Sequence, residues 1–169
     1  MSIRLLRGAS LTMAALAVSF AIAGPVSAAP GDNGTIKIDG VAFDDLPNNE
    51  PHVGCTFQVD FYGFDQGDLD AHVSFDAQPP SGTNPVPFTG DPDPFIGEDD
   101  ASGGGSTAGL DASETYTLNV AGLTAHPKQG YHIKITVHAD CAKGADTKYK
   151  VFWVTGCDPC DEPPGQQTN

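Results

Sequence analysis

The chain has 169 residues and carries 8 basic against 22 acidic side chains, a formal charge of −14. Both arginines, Arg4 and Arg7, stand at the N-terminus, so residues 29 onward hold six lysines, no arginine and a charge of −16. Such a surface repels phosphate backbones and anionic lipid headgroups and lacks the guanidinium that grips phosphate, which excludes nucleic acid as a partner.

Residues 1–28 read as an export signal. Arg4 and Arg7 give a positive start and Leu11 to Ala23 an apolar core. Val26-Ser27-Ala28 then supplies the small-x-small pattern of signal peptidase, placing cleavage after Ala28. The apolar core is too short for a stable bilayer anchor and no second such run follows, so no membrane insertion is expected after cleavage. No cysteine lies near the cleavage site, which argues against a lipid anchor there. The expected location is extracellular, with loose attachment to the cell wall as a variant. The remaining 141 residues suffice for one domain with a hydrophobic core.

Residues 29–33 read as a flexible lead. From Gly34 the hydrophobic period is two. Ile36 and Ile38 alternate with Lys37 and Asp39. Phe57, Val59 and Phe61 alternate with Thr56, Gln58 and Asp60, and Leu69, Ala71, Val73 and Phe75 with Asp70, His72, Ser74 and Asp76. These last two runs, joined by Gly63 to Gly67, predict a hairpin with one buried face. Tyr116, Leu118 and Val120 form another apolar row, and Ile133, Ile135 and Val137 a further one. Tyr149 to Thr155 is apolar on both faces, which predicts a central strand. Trp153 shares the parity expected of core, as do Phe57 and Phe61.

Short strands are expected near Val86–Phe88 and Phe95–Gly97. Six prolines between Gln78 and Pro94 suit edges and loops. Glu98 to Gly109 is an acidic, Gly/Ser-rich loop, and residues 158–169 form a Pro/Gln-rich tail. No window shows a helical stripe. The expectation is all-β: a single Ig-like β-sandwich over residues 34–157, with about seven or eight antiparallel strands and disulfide bonds.

Four cysteines in an exported chain predict two disulfides with three connectivities. Cys157 and Cys160 form a C-x-x-C, but Asp158, Asp161 and Glu162 around it disfavour a reactive thiolate. Cys55 opens one strand and Cys157 follows the last, ends that can meet in a sandwich. That leaves Cys141 for Cys160.

Enzyme motifs are missing: no Gly-x-Ser-x-Gly, no His-Glu-x-x-His and no Gly-rich phosphate loop, so no catalytic residue is assigned. The sharper chemistry is Ca²⁺. Asp65, Asp68 and Asp70 crowd one turn, and Glu98, Asp99 and Asp100 precede a glycine run, giving acidic loops that bend as a hard cation requires. His132 and His138 share strand parity but lie about 20 Å apart at the usual strand rise, too far for one ion. His72 could join either across a sheet, for zinc or copper. Tyr62 and Phe64 are the aromatics expected to face outward and to stack on a ligand.

Several runs are distinctive: Asn49-Glu-Pro-His-Val-Gly-Cys55, Phe95-Ile-Gly-Glu-Asp-Asp100, Gly130-Tyr-His-Ile-Lys-Ile135 and Lys150-Val-Phe-Trp-Val-Thr-Gly-Cys157. Together they resemble a group of small exported or cell-surface actinobacterial proteins with an Ig-like or prealbumin-like β-sandwich. The resemblance implies that fold, the compartment and a Cys55–Cys157 bridge, but no chemistry. Some members carry a wall-sorting signal; no Leu-Pro-x-Thr-Gly is present here, so release or loose association is expected. The functional expectation is a non-catalytic structural or ligand-binding protein with an extracellular protein or glycan as partner. The alternative is a Ca²⁺-stabilised binding domain, and a carbohydrate-active enzyme is a distant third.

Overall fold

The alternation of apolar and polar side chains settles into eight strands in the structure, a computed structural model that describes residues 34–45, 47–67, 69–98, 109–140 and 145–157. They are β1 (Thr35–Asp39), β2 (His52–Val53), β3 (Thr56–Tyr62), β4 (Ala71–Ala77), β5 (Phe88–Thr89), β6 (Leu110–Leu118), β7 (Tyr131–Ala139) and β8 (Thr147–Val154). Two four-stranded sheets result, β1-β3-β6-β5 and β2-β8-β7-β4. Neighbouring strands are antiparallel except β2, which runs parallel to β8.

Each sheet turns one row of apolar residues to a shared core. Ile36, Ile38, Phe57, Val59, Phe61 and Tyr116 come from the first sheet, and Val73, Phe75, Ile133, Ile135, Val137 and Phe152 from the second. Phe57 meets Phe75 and Phe152 edge-on at centroid distances of 5.7 and 5.1 Å, and Tyr116 meets Phe75 at 5.3 Å. Edge-to-face contacts of this kind add to the area they bury. The Tyr116 hydroxyl donates to the Asp91 carbonyl at 2.8 Å, so the buried phenol keeps a partner.

The β3–β4 hairpin is corrected. β3 pairs with β1 and β6, whereas β4 pairs with β7 in the other sheet. The connection crosses between the layers: Gly63 N–H donates to the Gly109 carbonyl, and Phe64 N–H to the Asp111 carboxylate. A hairpin partner and a facing-sheet partner bury the same parity of residues, so periodicity alone does not separate them. The predicted strand at Phe95–Gly97 reduces to a single bridge, Asp70 with Phe95. β6 begins at Leu110, before the alternation becomes plain.

The proline-rich stretch borders β4. The Pro94 and Pro92 carbonyls accept from the Ala71 and Val73 amides, and Asn84 O accepts from Ala77 N–H. Proline cannot donate to a ladder but accepts like any residue, so it covers this edge without extending the sheet. β8 is central only at its end, where β2 pairs with Trp153 and Val154. From Thr147 to Phe152 its outer margin has no strand partner among the described residues, and Lys148 and Lys150 discourage pairing there.

Cys55, just before β3, is bonded to Cys157, just after β8, with Cα atoms 5.0 Å apart across 102 residues. Closing a loop of that length stabilises a fold by about 4–5 kcal/mol in the chain-entropy description. Cys141 and Cys160 lie outside the described residues.

Truncating Phe57 to alanine is expected to cost about 3–5 kcal/mol in urea unfolding, the usual loss for a buried aromatic. Tyr149→Ala, on the surface, is expected to change stability by no more than about 0.5 kcal/mol. Equal losses would contradict the placement of Phe57.

Candidate functional site

The outer face of the second sheet gathers the chemically distinctive side chains. With Val73, Phe75, Ile135, Val137 and Phe152 turned inward, the period of two turns His72, Ser74 and Asp76 of β4 outward. His132, Lys134, Thr136 and His138 of β7 follow, with Tyr149, Val151 and Trp153 of β8. The register sets them in rows: His72, His138 and Thr147; Ser74, Thr136 and Tyr149; Asp76, Lys134 and Val151; and His132, Trp153 and His52. His126 packs on the same Trp153 ring at 5.6 Å. All five histidines of the chain and its single tryptophan therefore belong to this face. Tyr149 is 71 % exposed and Val151 51 %.

At one end His132 stacks on Trp153, with centroids 4.4 Å apart and planes 17° apart. Its Nδ1 lies 2.9 Å from the Pro79 carbonyl, which orients the ring. Gly130 makes the neighbouring turn feasible: its φ is +81°, and a β-carbon there would collide with the Val154 carbonyl. The His126–Gly130 backbone pair closes that turn and presents His126 to Trp153. Trp153 thus faces outward, and Phe152 takes the core position, which corrects the parity expected for the tryptophan.

At the other end His72 and His138 are cross-strand neighbours with stacked rings 6.4 Å apart. His72 Nδ1 lies 2.5 Å from Asp93 Oδ1, and its Nε2 2.9 Å from Asp140 Oδ2. His138 Nε2 lies 3.4 Å from Asp140 Oδ1, and its Nδ1 3.3 Å from Thr147 Oγ1. Hydrogen bonds to Asp93 first, and then Asp140, raise the His72 imidazole above the ordinary histidine range.

The residues expected to bind a ligand or Ca²⁺ fall elsewhere. Tyr62 and Phe64 are each 3 % exposed, so neither is a surface platform; that expectation is corrected. The Lys37 ammonium lies 4.8 Å from the centre of the Tyr62 ring, while Phe64 packs against Phe61 and Gly34. The structure does bring the two acidic loops side by side, through Gly67 N–H to Gly97 O and Ile96 N–H to Leu69 O. Asp65, Asp70 and Glu98 are described; Asp68, Asp99 and Asp100 lie outside the described residues.

Among the described residues the carboxylates that converge are Asp39, Asp44 and Glu50, with oxygens within 4.8 Å of one another. Their spacing matches no motif, and only the density of acids marks the segment in the sequence. Asp39 is 1 % exposed and accepts from the Asp44 amide; Glu50 accepts from Gly40 N–H. Asp60, also buried, accepts from Gln58 and Ser113 on one oxygen, while the other has no partner among the described residues. Burial pushes the Asp39 carboxyl upward, and the Asp60, Asp44 and Glu50 charges add to this against the lowering hydrogen bond from Asp44. Comparison with protein-family models, curated proteins and solved structures finds no match for the chain.

A carboxyl whose folded pKa is raised contributes fully below its unfolded pKa and loses that contribution as pH rises through the folded value. In EDTA, Asp39→Asn keeps an acceptor for the Asp44 amide and removes the charge. Its melting midpoint is expected to exceed that of the wild type at pH 7 and to match it near pH 3. An equal shift at both pH values would contradict the electrostatic cause.

Proposed function

We propose that the chain works outside the cytoplasm as a non-catalytic binding domain, and that the outer face of the second sheet is its ligand surface. One observation carries this reading: Tyr149, Val151, the His132–Trp153 stack and all five histidines share an open face. Aromatic rings with a polar tip suit a surface that meets a partner with both apolar and polar groups. The partner class is an extracellular protein or a glycan, whose pyranose rings stack on exposed aromatics. Placement outside the cytoplasm rests on the signal-like residues 1–28, and the 102-residue disulfide is compatible with an oxidising compartment.

Two measurements test this. The intact mass of the protein recovered from the medium should correspond to residues 29–169; retention of residues 1–28 would contradict export by cleavage. In co-sedimentation with insoluble cell-wall glycan, and in cross-linking to envelope proteins, Tyr149→Ala combined with Val151→Ser should reduce capture at least tenfold. Undiminished capture by this folded double variant would place the ligand surface elsewhere.

A second reading, a Ca²⁺-stabilised binding domain, is supported by the convergence of Asp39, Asp44 and Glu50, since Ca²⁺ takes oxygen ligands from bendable loops. Saturating Ca²⁺ would then raise the midpoint over EDTA by several degrees, Mg²⁺ would not, and Asp39→Asn would abolish the gain. Coincident melts in EDTA and Ca²⁺ would remove this reading.

A further inference from the structure

We propose that His72 Nε2, His138 Nε2 and the Asp140 carboxylate form a binding site for a divalent transition-metal ion, zinc foremost. The site lies at one end of the face assigned above to a ligand but does not depend on that assignment.

Geometry supports it first. His72 and His138 stand directly opposite each other on β4 and β7, and both Nε2 atoms meet the carboxylate of Asp140, at 2.9 and 3.4 Å. His72 Nε2 meets Asp140 Oδ2 and His138 Nε2 meets Oδ1, so the carboxylate bridges the two rings, and each separation is close to the roughly 3.3 Å between two atoms bound to one tetrahedral zinc. The two rings must approach: as they stand, His72, His138 and Asp140 do not bring one ligand atom each within 4.8 Å of the others. Their centroids are 6.4 Å apart, and two imidazoles on one tetrahedral zinc lie about 5 Å apart. His72 and His138 are half-exposed on an open face, and ion binding requires their side chains to rotate until both Nε2 lone pairs converge.

The outer contacts are a second and independent observation. Metal-bound histidines usually donate the other ring N–H to a carboxylate or similar oxygen, which fixes tautomer and orientation. Here His72 Nδ1 has Asp93 at 2.5 Å, and His138 Nδ1 has Thr147 Oγ1 at 3.3 Å. The Thr147 hydroxyl donates onward to Asp146 at 3.0 Å. Both Nε2 atoms thereby become the metal-facing positions. The backbone holds the third ligand in place: Asp140 N–H donates to the Asp70 carbonyl and Ala139 N–H to the Asp146 carbonyl. Two imidazoles and one carboxylate favour Zn²⁺ or Cu²⁺ over Ca²⁺ and Mg²⁺, which prefer oxygen throughout. The fourth position is left to water or to a group of a bound partner.

The test is titration of the purified, oxidised chain with Zn²⁺, read by calorimetry and by ¹⁵N spectra of the imidazoles. One equivalent should shift Nε2 of His72 and His138 while both rings stay protonated at Nδ1. His72→Gln, His138→Gln and Asp140→Asn should each weaken binding more than tenfold, and Asp93→Asn about tenfold as a positioning residue. His132→Gln, at the far end of the face, should leave binding unchanged. The absence of saturable one-to-one binding overturns the proposal. So does binding that survives His72→Gln and His138→Gln, which would place the ion on other groups such as Asp39, Asp44 and Glu50.

Discussion

The packing of Phe57 between the two sheets is the contact on which the rest of the molecule depends. Its ring touches Phe75 and Phe152 across the core and Tyr116 beside it, so one side chain of β3 is joined to both β4 and β8. The Cys55–Cys157 bridge lies two residues from Phe57 in sequence, and both cysteines pack against the same core. Covalent and apolar links thus hold the layers together at the same end. Once those layers face each other, the period of two obliges the remaining residues of β4, β7 and β8 to form one outward surface.

The two outer faces then diverge. On the first sheet Lys37, Asp39, Asp60 and Tyr62 take outward parity yet are all buried. The segment following β1 folds back onto that strand, with the Lys37 ammonium donating to the Pro47 carbonyl at 2.7 Å and Asn49 accepting from Ile38 N–H. Burying a polar group is costly unless it is paired, and Lys37 is. The outer face of the second sheet instead leaves its rings and imidazoles accessible. In a chain of charge −14, the histidines are concentrated on this open face.

Much of this was legible in the sequence, because a two-residue period states which side chains share a face. Phe57, Val59, Phe61, Val73, Phe75, Ile133, Ile135 and Val137 all lie where alternation puts them. Periodicity does not state which strand lies beside which, and so the predicted β3–β4 hairpin became two strands of different sheets. Nor does it choose a face for β8, where Phe152 and Trp153 are both apolar; packing against Phe57 selects the phenylalanine. The outward parity of His72 and His138 was readable, but their juxtaposition rests on the β4–β7 register. Tyr62 was misread because its cover comes from Lys37 on a neighbouring strand. The Asp39, Asp44 and Glu50 grouping depends on how the segment after β1 folds back, which no residue spacing encodes.

The most direct test of this account is the pattern of cross-strand backbone NOEs in the oxidised protein. The pairings of β4 with β7 and of β3 with β6 require contacts between His72 and His138, Phe75 and Ile135, and Val59 and Glu114. A ladder of contacts joining β3 to β4 as a hairpin would contradict it, dissolving both the two-sheet core and the face on which the histidines meet.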